Sequence, residues 1–562
     1  MARAESLSIP QLNLWERAKA FVNAQLVNIL AALLFLLLVF FLLYPIVAVL
    51  IKSFKGAEGF TLSYYVKFFT KGYYFRSLTN TLLLGFINTV VCLVVGFSLA
   101  YLTTRGPLRL RKPLKLVSMM PLIAPPYLFA ISLIILFGHN GIMTKAFGLK
   151  WSLYGFTGVV VAQTMAFIPL AYLMIENTLM SLNPNLEESA YDMGASEITI
   201  IRTVTIPLLA PGILKAGLLV FVMTIAEFGN AAILGGRTPF LAPDTYSMII
   251  GEADFEMGSV LSVILIIPCI IIFFLHNYLL TGKKFTTIGG KPVASEPRKM
   301  TLLVEVPFLI ISFVAALAIV VSFTVVLFAS FTKIFGVNNQ FVLKHVLNFE
   351  SNLAIYNSIK VSLIAAFIGA IIGTLLAYVI VRGKFFGRSF IEMASLSGFA
   401  LPGTVIGIGY LLAFNAPPLK LTGGIMILAL NCVFRFLAVG VEAGISKLHQ
   451  ISIEMEEASL DLGANFLTTF SKIVLPLMFP AFIAGFIYTF MTAIVSLSAV
   501  VFLVSPGFEL AAVRIFDNAV YGEIGVASAT TMKLVVIVVI CMVILGYLTK
   551  KTGFDISKKK GA

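Results

Sequence analysis

The chain has 562 residues, of which 59% are apolar and 12% are charged, and its formal net charge is +14. Its mean hydropathy is +1.01, whereas soluble domains are about half apolar and about a quarter charged. This excess of apolar side chains excludes a soluble enzyme, a disulfide scaffold and a disordered tail, and it predicts an integral membrane protein.

Apolar runs long enough to cross a bilayer as helices occur along the whole chain, and each such crossing needs about 20 residues. The runs are much longer than barrel strands and do not alternate, so the predicted fold class is all-α, a polytopic bundle of about 12 transmembrane helices. No small-residue cleavage site follows the first run, which we therefore interpret as a spanning helix rather than a signal peptide. The predicted spans are 27–51, 80–104, 116–137, 156–175, 213–235, 258–280, 302–330, 357–381, 393–415, 421–443, 481–505 and 526–548.

The basic residues predict the orientation of these spans, because lysine and arginine concentrate in cytoplasmic connections. The connection 236–257 has one basic residue and four acidic ones, so it is expected outside. The connection 52–79 has five basic residues yet must also lie outside; its many aromatic residues favour an interfacial segment. Both termini are therefore expected in the cytoplasm, and the net charge does not indicate nucleic-acid binding. The connections expected inside contain Arg105, Arg109, Arg111, Lys112 and Lys115; Lys283, Lys284, Lys291, Arg298 and Lys299; Arg382, Lys384 and Arg388; and Lys558, Lys559 and Lys560.

The two halves of the chain, 1–290 and 291–562, repeat one another. Gly96-Phe97-Ser98-Leu99-Ala100-Tyr101 followed by Arg105-Gly106 recurs as Gly373-Thr374-Leu375-Leu376-Ala377-Tyr378 followed by Arg382-Gly383. Six spans per half bring both halves in from the same side, so an axis along the membrane normal relates them. A transport path is then expected between the halves.

Proline residues interrupt the third and ninth spans at equivalent positions. Pro125 and Pro126 lie in the third span and Pro402 lies in the ninth. Proline removes a backbone donor and kinks a helix. A packing kink and a gating element are both consistent with this pattern.

Two polar segments that follow the fourth and tenth spans resemble neither a span nor an ordinary loop. In the first, Asn183 and Pro184 predict a helix start, Gly194 predicts its end, and Ser196 is suited to cap the next helix. Leu186, Ala190 and Met193 are expected to form its apolar stripe, with Glu187, Glu188 and Asp192 on the opposite face. Pro207 and Pro211 are expected to end the second helix. The other copy contains Glu456, Glu457, Asp461, Gly463, Asn465, Pro476 and Pro480.

These segments carry the pattern by which the chain resembles a known family. Glu188-Ser189-Ala190, then Gly194, then Val204-Thr205-Ile206-Pro207 resembles the cytoplasmic "EAA" loop of ABC-importer permeases. Glu457-Ala458-Ser459, Gly463 and Ile473-Val474-Leu475-Pro476 resemble the same loop, and each copy has one alanine-to-serine change. The chain is thus similar to two fused permease halves of the type I importer class, as in the ferric-iron importer family, with EAA loops at about 181–211 and 450–480.

The resemblance also implies the location, the partner subunits and the cargo of the protein. It implies a bacterial inner-membrane location, two copies of an ATPase subunit that bind ATP and magnesium, and a substrate-binding protein outside. It implies that each EAA helix docks into the ATPase, and the acidic faces of both segments would suit basic groups across that interface. The cargo favoured by the fused architecture is ferric iron; phosphorylated sugars, phosphonates, thiamine and polyamines stay open. The residues expected to couple to the ATPase are Glu187, Glu188, Ala190, Asp192, Gly194, Pro207, Glu456, Glu457, Ala458, Asp461, Gly463 and Pro476.

Charged residues within the spans are candidates for the transport path, because an intramembrane charge is costly. Glu227 lies in the fifth span and Arg435 in the tenth, and their depths in the membrane do not decide whether they form an ion pair. A purely structural role is an equal alternative for each residue. Their opposite signs do not select a cargo. The complete candidate path set is Pro125, Gln163, Glu227, Asn230, Pro402, Asn431 and Arg435.

The chain lacks the motifs of an enzyme. It contains no GxxxxGK[ST] phosphate loop and no GxSxG elbow, and its four histidines and four cysteines are scattered. No catalytic residue, metal site or cofactor is therefore expected on this chain. An ion-coupled secondary transporter is the less favoured alternative, because it would normally show several midplane carboxylates and commonly an inverted repeat. A membrane-embedded enzyme is the least favoured.

Overall fold

The computed structural model describes residues 14–56, 58–281, 300–383, 385–398, 401–417 and 419–551. These residues are almost entirely helical, with two small antiparallel hairpins. Several residues used for the orientation, and the boundary between 290 and 291, lie outside the described residues. They are Lys283, Lys284, Lys291, Arg298, Lys299, Lys384, Lys558, Lys559 and Lys560.

The first half contains fourteen described α-helices and one hairpin. The hairpin pairs β1 (Lys55–Gly56) with β2 (Gly59–Phe60). The helices are α1 (Leu14–Leu38), α2 (Tyr44–Ser53), α3 (Ser63–Thr70), α4 (Gly72–Thr104), α5 (Leu108–Met119), α6 (Leu128–Phe137), α7 (Ile142–Phe147), α8 (Phe156–Ser181), α9 (Asn185–Asp192), α10 (Glu197–Ile200), α11 (Ile206–Ala226), α12 (Gly229–Leu234), α13 (Leu241–Tyr246) and α14 (Phe255–Thr281).

The second half contains ten described α-helices and the other hairpin, which pairs β3 (Thr332–Ile334) with β4 (Asn338–Phe341). The helices are α15 (Leu302–Phe331), α16 (Phe349–Arg382), α17 (Arg388–Ser397), α18 (Gly403–Phe414), α19 (Ile425–Leu448), α20 (Glu454–Asp461), α21 (Phe466–Thr469), α22 (Leu475–Ile494), α23 (Ala511–Val520) and α24 (Ile524–Lys551).

The predicted helical membrane bundle is confirmed. Among the described residues, eleven helices are long and apolar enough to cross a membrane, and the shorter apolar helix α18 stands where the ninth span is expected. The eleven are Leu26–Ser53, Gly72–Thr104, Leu128–Phe147, Phe156–Ser181, Glu197–Ala226, Phe255–Leu275, Leu302–Phe331, Phe349–Arg382, Ile425–Leu448, Phe466–Ile494 and Ile524–Ile544.

The third and ninth predicted spans are broken rather than kinked. The predicted connection 105–115 is mostly the helix α5, which runs on into the predicted span and is followed by a tighter turn, Met120–Ile123, before α6 begins. In the second half α17 ends at Ser397 and α18 begins directly after Pro402. Proline at both breaks has no backbone N–H to donate to the preceding turn. Each predicted span is therefore divided into two shorter helices.

Three helices form the centre of each half: α4, α8 and α11 in the first, and α16, α19 and α22 in the second. Small residues let these helices approach closely. A side chain on Gly96 would collide with Ala171 and the backbone of Tyr172, and Gly440 lies directly against Gly485. Without a hydrophobic driving force between helices in lipid, such close packing is what holds spans together.

The first helices of the two halves are exchanged in the sense that each packs against helices of the other half as well as against its own, α2 against α14 and α15 against α24. α2 packs against α18 of the second half, and α1 against α16 and α17, while α15 packs against α4 and α6 of the first half. The Tyr410 hydroxyl donates to the Phe41 carbonyl at 2.7 Å, and the Phe308 ring lies 5.4 Å from the Tyr101 ring. Each half therefore contributes a helix to the core of the other.

Candidate functional site

The first EAA segment forms the short helix α9, a sharp bend and a second helix, which together we call arm 1 (183–205). The Asn183 side chain accepts the backbone N–H of Asn185 at 3.1 Å, and Ser196 accepts the N–H of Thr199. Gly194 has a φ of +84°, a left-handed conformation that costs other residues free energy. The predicted start, bend and second cap are all present.

The second EAA segment, arm 2 (453–474), repeats this geometry with different capping residues. α20 ends before Gly463, whose φ is +85°. Asn465 replaces serine as the cap of the following helix and accepts the N–H of Thr468 at 2.8 Å. The repeated bend therefore depends on one glycine in each half.

Both arms continue without interruption into a membrane helix, which corrects the expectation that prolines end the second arm helix. The helix Glu197–Ala226 runs through Pro207, and Phe466–Ile494 runs through Pro476. A wider π-turn, Ile201–Thr205 or Phe470–Val474, ends two residues before each of these prolines. Because such a turn changes the backbone hydrogen-bond register, it accommodates a residue that cannot donate.

Glu187 and Glu456 do not lie on a free acidic face, contrary to the sequence expectation. Arg105 Nε donates to Glu187 Oε2 at 2.8 Å, and Arg382 Nε donates to Glu456 Oε1 at 2.8 Å. Glu456 is buried and Glu187 is half-buried. Glu188, Asp192, Glu457 and Asp461 are exposed, so the outward acidic surface of each arm is smaller than predicted.

The expected apolar stripe of arm 1 is also oriented differently. Ala190 is buried, but Leu186 is 44% exposed and Met193 is 83% exposed. In arm 2, Leu462 is 89% exposed and Ala458 is exposed as well. The arms therefore present apolar side chains beside carboxylates to their surroundings, a combination typical of protein–protein contacts.

Glu227 lies where the fifth predicted span breaks. α11 ends at Ala226 rather than continuing to 235, because Glu227 is extended and the short α12 follows. Its carboxylate accepts Gln163 Nε2 at 3.0 Å and the backbone N–H of Asn230 at 3.0 Å. Within the described ranges, Gln163 Oε1 and both polar side-chain atoms of the fully buried Asn230 have no hydrogen-bond partner.

Arg435 lies at the corresponding break of the second half. α22 ends at Ile494 instead of reaching 505, and the Arg435 guanidinium donates to Ser496 Oγ at 3.0 Å and Ser498 Oγ at 3.1 Å. Leu497, between these serines, lies against Gly229, so the two breaks adjoin.

Glu227 and Arg435 are not bonded to each other in the part of the chain that the structure describes. We call Glu227, Gln163, Asn230, Arg435 and their bonded partners the central polar cluster.

The other candidate path residues, Asn431, Pro402 and Pro125, lie near the central polar cluster without a side-chain hydrogen bond to it within the described ranges. Asn431 is fully buried one turn before Arg435, and its side-chain atoms have no hydrogen-bond partner among the described residues. Pro402 adjoins Gly403, on which a side chain would overlap the Arg435 guanidinium. Pro125 lies just before Tyr127, whose ring lies against Gly229.

Sequence reasoning missed several charged residues that the fold brings together. A cavity of about 590 Å³ lies between α11, α17 and α19 and is lined by Lys215, Glu392 and Glu442. No sequence motif marks these three. Arg105 and Arg382 were missed as arm partners, although their recurrence at equivalent places in the two halves was a usable signal.

Comparison with known proteins gives the following matches. The family described as "Binding-protein-dependent transport system inner membrane component" matches residues 92–284 and 369–553. The ferric transport system permease protein FbpB of Actinobacillus pleuropneumoniae is 31% identical over 94% of this chain and 79% of that protein. The molybdenum transport system permease protein ModB of Azotobacter vinelandii is 31% identical over 28% of this chain and 72% of that protein. A solved bacterial ABC transporter for alginate import superposes with a TM-score of 0.41 at 15% identity, covering 48% of this chain and 100% of that one.

Proposed function

Because the chain belongs to the family of binding-protein-dependent inner-membrane transport components and contains its domain twice, we propose that it forms the transport path of a ferric-iron importer. The permease role follows from the family. The observation that supports iron is the 31% identity to a ferric transport permease over 94% of the chain. The molybdenum permease matches only 28% of the chain, less than one of its two repeated halves, and so supports molybdate less than iron.

We propose that arm 1 and arm 2 each dock one copy of a separate ABC ATPase on the cytoplasmic side, where both termini also lie. The exposed Glu188, Asp192, Glu457 and Asp461 supply charge, and Met193 and Leu462 supply apolar area. Closure of the ATPase dimer would then move α11 and α22, since each is continuous with its arm. ATP and magnesium belong to the ATPase in this scheme, and a substrate-binding protein delivers the cargo on the other side.

The central polar cluster is the proposed passage for the cargo. It lies where α11 and α22 both break and where the two halves adjoin. Gln163 and Asn230 both donate to the Glu227 carboxylate, and their side-chain oxygens have no partner among the described residues. Hard cations prefer such oxygen ligands. The cluster contains one carboxylate, Glu227, and one cation, Arg435, and a single carboxylate favours transient contact with a cationic cargo, which suits a path that must also release it.

Uptake by the assembled transporter tests the proposal. Proteoliposomes that contain this chain, its ATPase and its binding protein should accumulate radiolabelled ferric iron when ATP is present, and excess molybdate or sulfate should not compete. Iron uptake that stays at the level without ATP, or competition by molybdate, would overturn the cargo assignment.

Charge reversal in the arms tests the docking. Glu188→Lys together with Glu457→Lys should reduce both co-purification of the ATPase and ATP-driven uptake. Glu58→Lys, on an exposed residue of the β1–β2 hairpin, is the matched control and should leave both unchanged. Unchanged co-purification of the double variant would argue against docking through these carboxylates.

Neutralisation in the central polar cluster tests the passage. Glu227→Gln and Arg435→Gln, made separately, should each change the rate of iron uptake while the ATPase still co-purifies. Normal uptake in both variants would remove these residues from the path.

A further inference from the structure

Each arm is fastened to a second membrane helix by an ion pair that is largely withdrawn from solvent. In the first half Arg105, directly after α4, pairs with Glu187 of α9 at 2.8 Å across 82 residues of sequence. The side chains are 11% and 13% exposed. The other carboxylate oxygen, Oε1, accepts the Thr205 hydroxyl at 2.9 Å, so one glutamate joins α4, α9 and the π-turn before α11.

The second half has the same fastening. Arg382, the last residue of α16, pairs with Glu456 of α20 at 2.8 Å across 74 residues. The Tyr378 hydroxyl donates to Glu456 Oε2 at 3.1 Å, and Arg382 Nη2 donates to the Ile451 carbonyl at 2.9 Å. Glu456 thus joins arm 2 to α16, and Arg382 also holds the segment that leads into the arm.

The two copies agree in the ion pair, and further polar groups add to it in each half. The Thr205 hydroxyl contributes to the network in the first half, and the Tyr378 hydroxyl and the Ile451 carbonyl contribute in the second. The pair itself is thus the shared element. A shielded arginine–glutamate pair fixes relative position, because separating the two charges would leave each of them poorly solvated.

We infer that Arg105 and Arg382 are positioning residues that make each arm move as one body with two membrane helices, α4 and α11 in the first half and α16 and α22 in the second. Without the pair, arm 1 would lose its ion pair to α4, and arm 2 would keep only the Tyr378 hydrogen bond to α16 beside its covalent continuation into α22. The role in transport rests on the proposed function, whereas the mechanical link does not.

Amide hydrogen exchange of the purified chain tests the mechanical link without ATPase or cargo. Arg105→Ala should increase exchange in 185–192 roughly tenfold or more and leave 454–461 unchanged, while Arg382→Ala should do the reverse. Each half therefore serves as the folding control for the other. The swapped pair Arg105→Glu with Glu187→Arg should restore slow exchange. If Arg105→Ala leaves exchange of 185–192 unchanged, or if both arms loosen together, the inference is wrong.

The ratio of cargo transported to ATP hydrolysed tests the role of the link in coupling. In the proteoliposomes, Arg105→Ala and Arg382→Ala should lower this ratio although the ATPase still co-purifies, and the charge-swapped pairs should restore it. An unchanged ratio in variants with loosened arms would show that the link does not serve coupling. Failure of the wild-type transporter to move ferric iron would instead contradict the cargo assignment. The amide hydrogen exchange result would still support the mechanical link.

Discussion

Single buried polar groups make parts of this molecule sensitive to pH, and Asp244 is an example outside the spanning helices. It lies on α13 and is 7% exposed, and its Oδ1 accepts the Tyr73 hydroxyl at 3.0 Å. Removal from water raises the pKa of Asp244 to about 6, because burial penalises the charged carboxylate. In the unfolded chain the pKa of an aspartate is about 3.9, so ionisation is more costly in the folded state.

We predict that Asp244 makes the folded state less stable as pH rises. Both states are protonated below about pH 4, and the penalty then grows until the folded carboxyl ionises near pH 6, reaching roughly 3 kcal/mol. Asp244→Asn should abolish this part of the fall in thermal stability, measured in detergent between about pH 4 and pH 7. Glu58→Gln, on an exposed residue, should leave the profile as in the wild type. An Asp244→Asn profile parallel to the wild type would contradict the assignment.

The absence of a side chain at Gly403 determines where the Arg435 guanidinium lies. A methyl group there would overlap both the guanidinium and the Ser498 hydroxyl. We predict that Gly403→Ala displaces Arg435, lowers stability by about 1–3 kcal/mol and slows uptake. Gly72→Ala is the control, since no described atom lies within 4 Å of a Cβ at that position. Equal thermal stabilities of the two variants would show that the site relaxes without cost.

At the scale of secondary structure, the sequence predicted well those features that depend on neighbouring residues. The bends at Gly194 and Gly463 and the caps at Ser196 and Asn465 follow from local backbone conformation and hydrogen bonding. The early ends of α11 and α22 were missed, because mostly apolar residues continue beyond Ala226 and Ile494 and the few polar residues among them do not interrupt a hydropathy run. Hydropathy cannot distinguish a continuing helix from one that tertiary contacts interrupt.

The faces of the arms were predicted less well for a related reason. The pattern in α9 separates apolar from acidic residues, but it contains no information about Arg105, which approaches from a helix 82 residues away in sequence. That arginine draws Glu187 inward and leaves Met193 outside. Long-range pairs of this kind become visible from sequence only when a repeat shows both partners twice.

The exposed apolar residues of the arms give a prediction for the proposed ATPase interface. Met193→Ser and Leu462→Ser should each weaken ATPase binding about tenfold, because each removes an apolar contact worth about 1–2 kcal/mol. Thermal stability of the chain should not change, since the two side chains are 83% and 89% exposed. Leu347→Ser, on a residue that is 70% exposed in the β4–α16 connection, should not affect binding. Unaltered affinity in both arm variants would place the interface elsewhere.

For the whole molecule, the exchange of first helices decides how the repeat is held together. α2 covers α18, and α15 covers α6, so each half leaves an apolar surface uncovered when the other is removed. The Tyr410 hydroxyl also loses the Phe41 carbonyl, which it contacts at 2.7 Å. A fused chain with this arrangement behaves as an interlocked pair rather than as two independent domains.

We therefore predict that the chain tolerates a cut between its halves but not the loss of an exchanged helix. Residues 1–290 and 291–562, expressed as separate polypeptides in one cell, should co-purify as a complex, because the contacts of α2 and α15 do not require a covalent link. Either half alone should be degraded, since its exposed packing surface is not matched to lipid. A fragment that begins after α2, at residue 55, should fail to retain 291–562, because α18 then lacks its partner. Stable accumulation of one half by itself would show that the exchanged helices are dispensable.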